Sequence, residues 1–202
     1  MYIQDMTSAE ADILFNPYYP TFVEVNSWAH KEFLGKHSHP YLKPSCKAHY
    51  FQNLVFGELS SRLCSMGVAE LTDDQNHQLL IFQGSAYLSI KKLDENFMPN
   101  YATTARSIRY YRQSHLPTLE GLPKIVCGAK ISSDWTRIDG VFLTQPRNSY
   151  ANNWVLNITE AAVAHAMDEN QDKFSFASET EYFQPHKTET DDERKQAEGD
   201  KT

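Results

Sequence analysis

Apolar positions recur at helical spacing through the first third of the chain and at alternating spacing after it, and this change of period divides the sequence. Thr7-Ser8-Ala9-Glu10 has the form of a capping box, Ile13 and Leu14 follow, and Asn16-Pro17 stops the short helix they open. A second start at Thr21-Phe22-Val23-Glu24 places Phe22, Val25, Ala29 and Phe33 on one face. It predicts an amphipathic helix over 22–34, closed by Gly35. From Lys36 to Pro44 the histidines and prolines His37, His39, Pro40 and Pro44 mark a loop. Ser45 is then expected to cap the longest helix, about 46–66, with a stripe of Phe51, Leu54, Val55, Leu59, Leu63 and Met66 and an end at Gly67.

Past Gly67 the period becomes two. His77–Gln83 and Ala86–Leu93 are β-rich runs flanking Gly84-Ser85, the signature of a II′ hairpin turn. Thr103 or Thr104 can cap a short helix reaching about Gln113, bounded by Pro99-Asn100 and Pro117. Ile125, Cys127, Ala129 and Ile131 then alternate with Val126, Gly128 and Lys130. Ile138–Thr144 follows across Ser133-Asp134-Trp135. Pro146-Arg147-Asn148-Ser149 makes a turn, and Trp154, Leu156 and Ile158 define a fifth strand. The order ααα-ββ-α-βββ groups helices before hairpin-linked strands and lacks the βα alternation of a doubly wound sheet. It predicts an α+β fold: N-terminal helices packed on a mostly antiparallel sheet of about five strands. Residues 160–167 add a terminal helical turn or two.

Composition sharpens the boundaries. A chain of 202 residues, 41% hydrophobic and carrying 11 Phe, 11 Tyr and 3 Trp, suits one domain with a substantial core and excludes wholesale disorder. The net charge is −7, but residues 168–202 hold 11 acids against 5 bases, so the rest is almost neutral. We therefore expect one α+β domain over 1–167, with a helical part at 1–67 and a sheet part at 68–160, followed by an acidic, disordered tail at 168–202. Within that tail Phe174, Phe176, Tyr182 and Phe183 sit among acids as candidate docking positions. The longest apolar runs, such as Leu79–Phe82, fall far short of the roughly 18 residues needed to span a bilayer, and Met1–Glu10 lacks the form of a signal peptide. These features predict a cytoplasmic protein without a membrane partner. Cys46, Cys64 and Cys127 form no disulfide framework and read as buried thiols in a reducing compartment.

Candidate chemistry is sparse. There is no nucleophile elbow, phosphate loop, dinucleotide fingerprint or zinc-protease helix. Imidazole and thiolate are zinc ligands, so His37, His39, Cys46 and His49, with His30 nearby, are a candidate metal set. Their spacing matches no standard finger, and the plainer account is solvated loop histidines with no cofactor. Arg106, Arg109 and Arg112 recur every three residues on the short helix, with Tyr110 and Tyr111 between them and Lys91 and Lys92 ending the preceding strand. Guanidinium forks suit phosphates or carboxylates and tyrosines can stack on bases, so these residues form a candidate anion site. The plainer account is a solvated helix face whose Ile108 and Tyr111 pack on the sheet. Asp134 reads as turn chemistry, Asp94-Glu95 as a solvated pair ending a strand, and Cys64 and Cys127 as buried thiols without a visible base. The sequence thus points to a non-enzymatic protein-binding or regulatory module with its tail as a docking element. The alternative is a nucleic-acid-binding protein, a nuclease or an accessory to one, using the Arg/Tyr helix.

Overall fold

The computed structural model describes residues 5–36, 41–74, 77–99, 104–114, 121–148 and 150–163. Helix α1 (Ser8–Phe15) starts at the expected box: the Glu10 amide donates to Thr7 Oγ1, and the Thr7 amide donates to the Glu10 carboxylate at 2.8 Å. A 3-10 turn, Asn16–Tyr18, carries the chain directly into α2 (Tyr19–Lys36). This helix begins three residues before the predicted start, because Pro20 in the first turn needs no amide partner. Its stripe is as expected: Phe22, Val25, Ala29 and Phe33 are buried. Helix α3 (Pro44–Ser65) starts on Lys43 without a side-chain cap, so Ser45 lies inside the helix and does not cap it. At its end Val68 N–H reaches Leu63 O and Gly67 N–H reaches Cys64 O, with Gly67 at φ +71°, a Schellman closure that only glycine adopts without strain. Phe51, Val55, Leu59 and Leu63 are buried, whereas Met66 is exposed.

The sheet has six strands, not five. The additional one, β1 (Ala69–Asp74), pairs antiparallel with β2 (His77–Phe82), from Ala69 opposite Phe82 to Asp74 opposite His77. Its Glu70, Asp73 and Asp74 hid it, since acids are poor strand formers except at an exposed edge, where this strand lies. β3 (Ala86–Leu93) follows through a turn in which the Ser85 amide donates to Phe82 O. Gln83 and Gly84 both have positive φ, the I′ arrangement and not the expected II′, because the turn sits one residue earlier than the glycine suggested. Helix α4 (Ala105–Tyr111), capped by Thr104, crosses over to β4 (Lys124–Ile131), which is parallel to β3. β5 (Ile138–Pro146) and β6 (Asn152–Asn157) complete the sheet in antiparallel pairing, and the backbone turns helical at 158–163. Spatial order equals chain order, and every pair but β3–β4 is antiparallel. The fold is α+β, as the sequence predicted.

The alternation of each strand feeds two cores. On one face α1, α2 and α3 pack their aromatic stripes over Phe82, Leu88, Ile90, Ile125, Cys127 and Leu143. On the other, Leu79, Tyr87, Leu93, Val126 and Phe142 meet Tyr110 and Tyr111 from α4. Arg62 ties α3 to α2, its guanidinium lying 2.8 Å from Glu58 and 3.0 Å from Glu24. Of the three thiols only Cys127 is buried. Cys64 follows Leu63 by one position, which rotates it off the core stripe, and it is exposed, as is Cys46. Among the described residues no helix is long and apolar enough to cross a membrane.

Candidate functional site

Helix α4 and the sheet face beneath it hold the predicted anion-site residues other than Lys92, and alternation decides which of them meet. Successive strand residues point to opposite faces. Lys91 therefore shares the α4 face with Tyr87 and Leu93, while Lys92 turns toward the three-helix face, where its ammonium lies 5.5 Å from the centre of the Trp135 ring. The two lysines do not form one patch. Lys91 is half-buried without a carboxylate partner among the described residues, and burial pulls its amine below the ordinary lysine range. The same alternation brings Lys130 onto the α4 face, over the Phe97 ring at 5.2 Å, and Phe97 in turn packs on Phe142 at 4.7 Å.

Helix α4 lies on this face by its tyrosines. Tyr110 is fully buried, its hydroxyl beside Ser89 and 3.2 Å from the Ile125 carbonyl it donates to. Tyr111 is buried next to it, ring centroids 5.4 Å apart. Neither ring faces solvent, so the stacking platform envisaged for Tyr110 is part of the core. Large apolar faces seek the sheet, and the three-residue spacing that aligns the arginines necessarily turns the tyrosines inward. Arg109 and Arg112 are exposed, three positions apart, and neither has a carboxylate partner among the described residues. The backbone of Arg106 belongs to α4, and its side chain lies outside the described residues.

Two residues that sequence reasoning missed complete the face. Lys124, the first residue of β4, is fully buried, and among the described residues its ammonium donates to one acceptor, the Ser114 carbonyl, at 2.9 Å. Burial pulls its amine down to about 8. Gln113 holds it in place: its side chain accepts from the Lys124 amide at 2.8 Å and donates to the Lys124 and Pro146 carbonyls at 2.7 and 3.1 Å. Gln113 has φ +53°, a conformation that costs a non-glycine residue energy and is held here by those three bonds. Nearby Thr144 is buried, and its hydroxyl has no hydrogen-bond partner among the described residues. The parity of Lys124 with Val126 was visible in the alternation and marks it as an inward, α4-side position.

The candidate metal set is not assembled by the described residues. Cys46 and His49 are exposed in the first turns of α3, His37 and His39 lie outside the described residues, and His30 is buried with Nε2 2.9 Å from the Trp135 carbonyl. No group of three or more metal-ligating side chains occurs among the described residues. Asp134 is occupied as expected of a turn residue, its carboxylate accepting from Ser132 Oγ and from the Thr136 amide and hydroxyl, which holds its carboxyl down at about 2. Asp94 accepts from the amides of Asn96 and Met98. Burial pushes the Cys127 thiol up to about 12, so it is a packing group and not a nucleophile. Phe174, Phe176, Tyr182 and Phe183 lie outside the described residues. No protein-family model matches the chain, and no curated protein and no solved structure is similar to it.

Proposed function

We propose that this chain is a non-enzymatic protein-binding module whose contact face is the outer side of α4, where it takes an acidic segment of its partner. The observation that carries the reading is that Arg109 and Arg112 are exposed, three positions apart, with no carboxylate partner among the described residues. The ion pairs of the described residues lie elsewhere, at Glu32–Lys36, Glu24–Arg62–Glu58 and Arg137–Asp139. Guanidinium forks match carboxylates bidentately, and Lys91 and Lys130 put further positive charge on the same face of the sheet. The acidic segment 168–202, with Phe174, Phe176, Tyr182 and Phe183, is the second proposed contact with that partner.

Nucleic-acid binding is the other reading, because the same two arginines fit phosphates. It is the weaker one, since Tyr110 and Tyr111 face the core and Lys92 the opposite side of the sheet, which leaves no exposed ring on α4 among the described residues and parts Lys92 from the arginines. Affinity capture from a native lysate separates the two. The full chain, a chain ending at Met167 and the double variant Arg109→Glu/Arg112→Glu are compared with and without nuclease. A protein recovered regardless of nuclease, reduced by truncation and lost with the charge-reversed variant, supports the proposal. Recovery that disappears on nuclease treatment transfers the arginines to a nucleic acid, and recovery indifferent to their reversal removes α4 from either role.

A further inference from the structure

The sheet has two edges, and the sequence treats them differently. An edge strand presents a row of unpaired backbone groups that invites another strand, and proteins commonly guard it with charge, proline or a bulge. β1 carries Glu70, Asp73 and Asp74 among its six residues. β6 reads Asn-Asn-Trp-Val-Leu-Asn, with neither charge nor proline, and no described strand pairs with its outer side. Its one irregularity falls at the Gln145/Pro146 end, which leaves Trp154–Asn157 in regular register on β5. Asn153, Val155 and Asn157 are exposed on its solvent-facing side, Val155 at 37%.

We propose that β6 pairs antiparallel with β6 of a second copy of this chain, joining two six-stranded sheets across a two-fold axis. Charge and register select this occupant. An uncharged strand lies against itself without like-charge cost, whereas two copies of β1 would set acids against acids. Residues facing one another in an antiparallel ladder share a face, so an odd position must meet an odd one and an even position an even one. Centred on Val155, the pairing places Val155 against Val155 of the other copy, Asn153 against Asn157 and Trp154 against Leu156.

The asparagines are complementary in this register. Asn153 already uses its amide to donate to Gln145 Oε1 at 3.3 Å, which leaves its carbonyl oxygen to accept. Asn157 already uses its carbonyl oxygen to accept from the Thr159 amide at 3.1 Å, which leaves its amide to donate. Each copy thus offers at Asn157 the donor that Asn153 of the other copy lacks. On the opposite face Trp154 and Leu156 pack at the rim of the three-helix core, and pairing them across the axis continues that apolar layer. A self-complementary patch of this kind closes as an isologous dimer and does not propagate.

The test is the mass of the full chain by sedimentation equilibrium over a concentration series, with Val155→Lys and Val155→Asp alongside. Native protein reaches twice the chain mass, and each variant alone stays at one chain mass, because its new charge meets itself on the axis. Mixing the two variants restores the doubled mass. Circular dichroism of each variant checks that the exposed substitution leaves the fold in place, and their recovery on mixing would itself exclude unfolding. Native protein that is monomeric throughout the series overturns the proposal. So do variants that remain dimeric alone, which assigns the interface to another surface, and variants that stay monomeric on mixing, which removes the Val155-centred register.

Discussion

The two faces of the sheet share six strands and do different work. The three-helix face is thick and apolar: Phe82 alone is met by Phe15 at 4.6 Å, Tyr18 at 5.3 Å and Phe22 at 6.5 Å between ring centres, within a cluster that runs from Ala11 to Ala162. The α4 face is thin. It sets seven buried apolar side chains beside a buried lysine with one carbonyl acceptor and a buried threonine hydroxyl with none among the described residues. Burying incompletely paired polar groups costs free energy, and a fold tolerates the cost only where other contacts supply the surplus. The difference teaches that stability is concentrated on one face, which frees the other to display cations.

Mutations on the two faces should separate in size and in kind. Phe82→Ala strikes the thick face and should lose about 3–5 kcal/mol in urea unfolding, taking partner binding down with the fold. A loss of less than about 1 kcal/mol, below the usual cost of a large-to-small core change, would mean that stability is not concentrated there. Gly128→Ala probes the thin face. A methyl at that position would lie 2.5 Å from Leu93 Cγ and 2.6 Å from the Lys91 carbonyl oxygen, and backbone cannot rotate aside. A cost of about 1–3 kcal/mol is expected, read as a lowered melting temperature.

Lys124→Met should act in the opposite direction. Replacing a buried, poorly paired ammonium with an apolar chain of similar length should stabilise the protein by about 1 kcal/mol or more at neutral pH. The pH dependence gives the sign independently. Lys124 titrates near 8 in the fold and at the ordinary lysine value when unfolded, so between those values the unfolded chain holds more protons. Native stability should therefore rise from about pH 8 until about pH 9, above which the buried Cys127 thiol, and from about pH 10 the tyrosines Tyr19 and Tyr110, all held above their ordinary range, act against it. Lys124→Met should flatten that rise. Unfolding curves that climb equally in both proteins would show that the buried amine is not its source. The smallest effect belongs to Arg109→Glu/Arg112→Glu, whose stability should stay within about 0.5 kcal/mol of the native protein because both side chains are exposed and neither has a carboxylate partner among the described residues.

Most of the three-helix face was legible in the sequence, because capping and periodicity there agree with burial: the Thr7–Glu10 box and the Phe22, Val25, Ala29 and Phe33 stripe both appear as expected. The period-two segments likewise became β2 to β6. β1 was illegible since its acids suit an edge that only the assembled sheet defines. The α4 face was read less well for a related reason. Spacing aligned Arg109 with Arg112 and turns the tyrosines to the other side of α4, and alternation within β3 parts Lys91 from Lys92, but the full burial of Tyr110 and of Lys124 follows from which strand lies beside which. The parallel β3–β4 pairing beneath α4 fixes that, and it has no local signal in the chain.

The account rests most on α4 as the contact face, and the direct measurement is partner recovery by the Arg109→Glu/Arg112→Glu chain at a melting temperature matched to the native protein. Recovery should fall by about tenfold or more, the order expected when like charges are brought together across an interface. Recovery equal to that of the native chain, with the fold intact, would contradict the account and leave Arg109 and Arg112 as solvated surface.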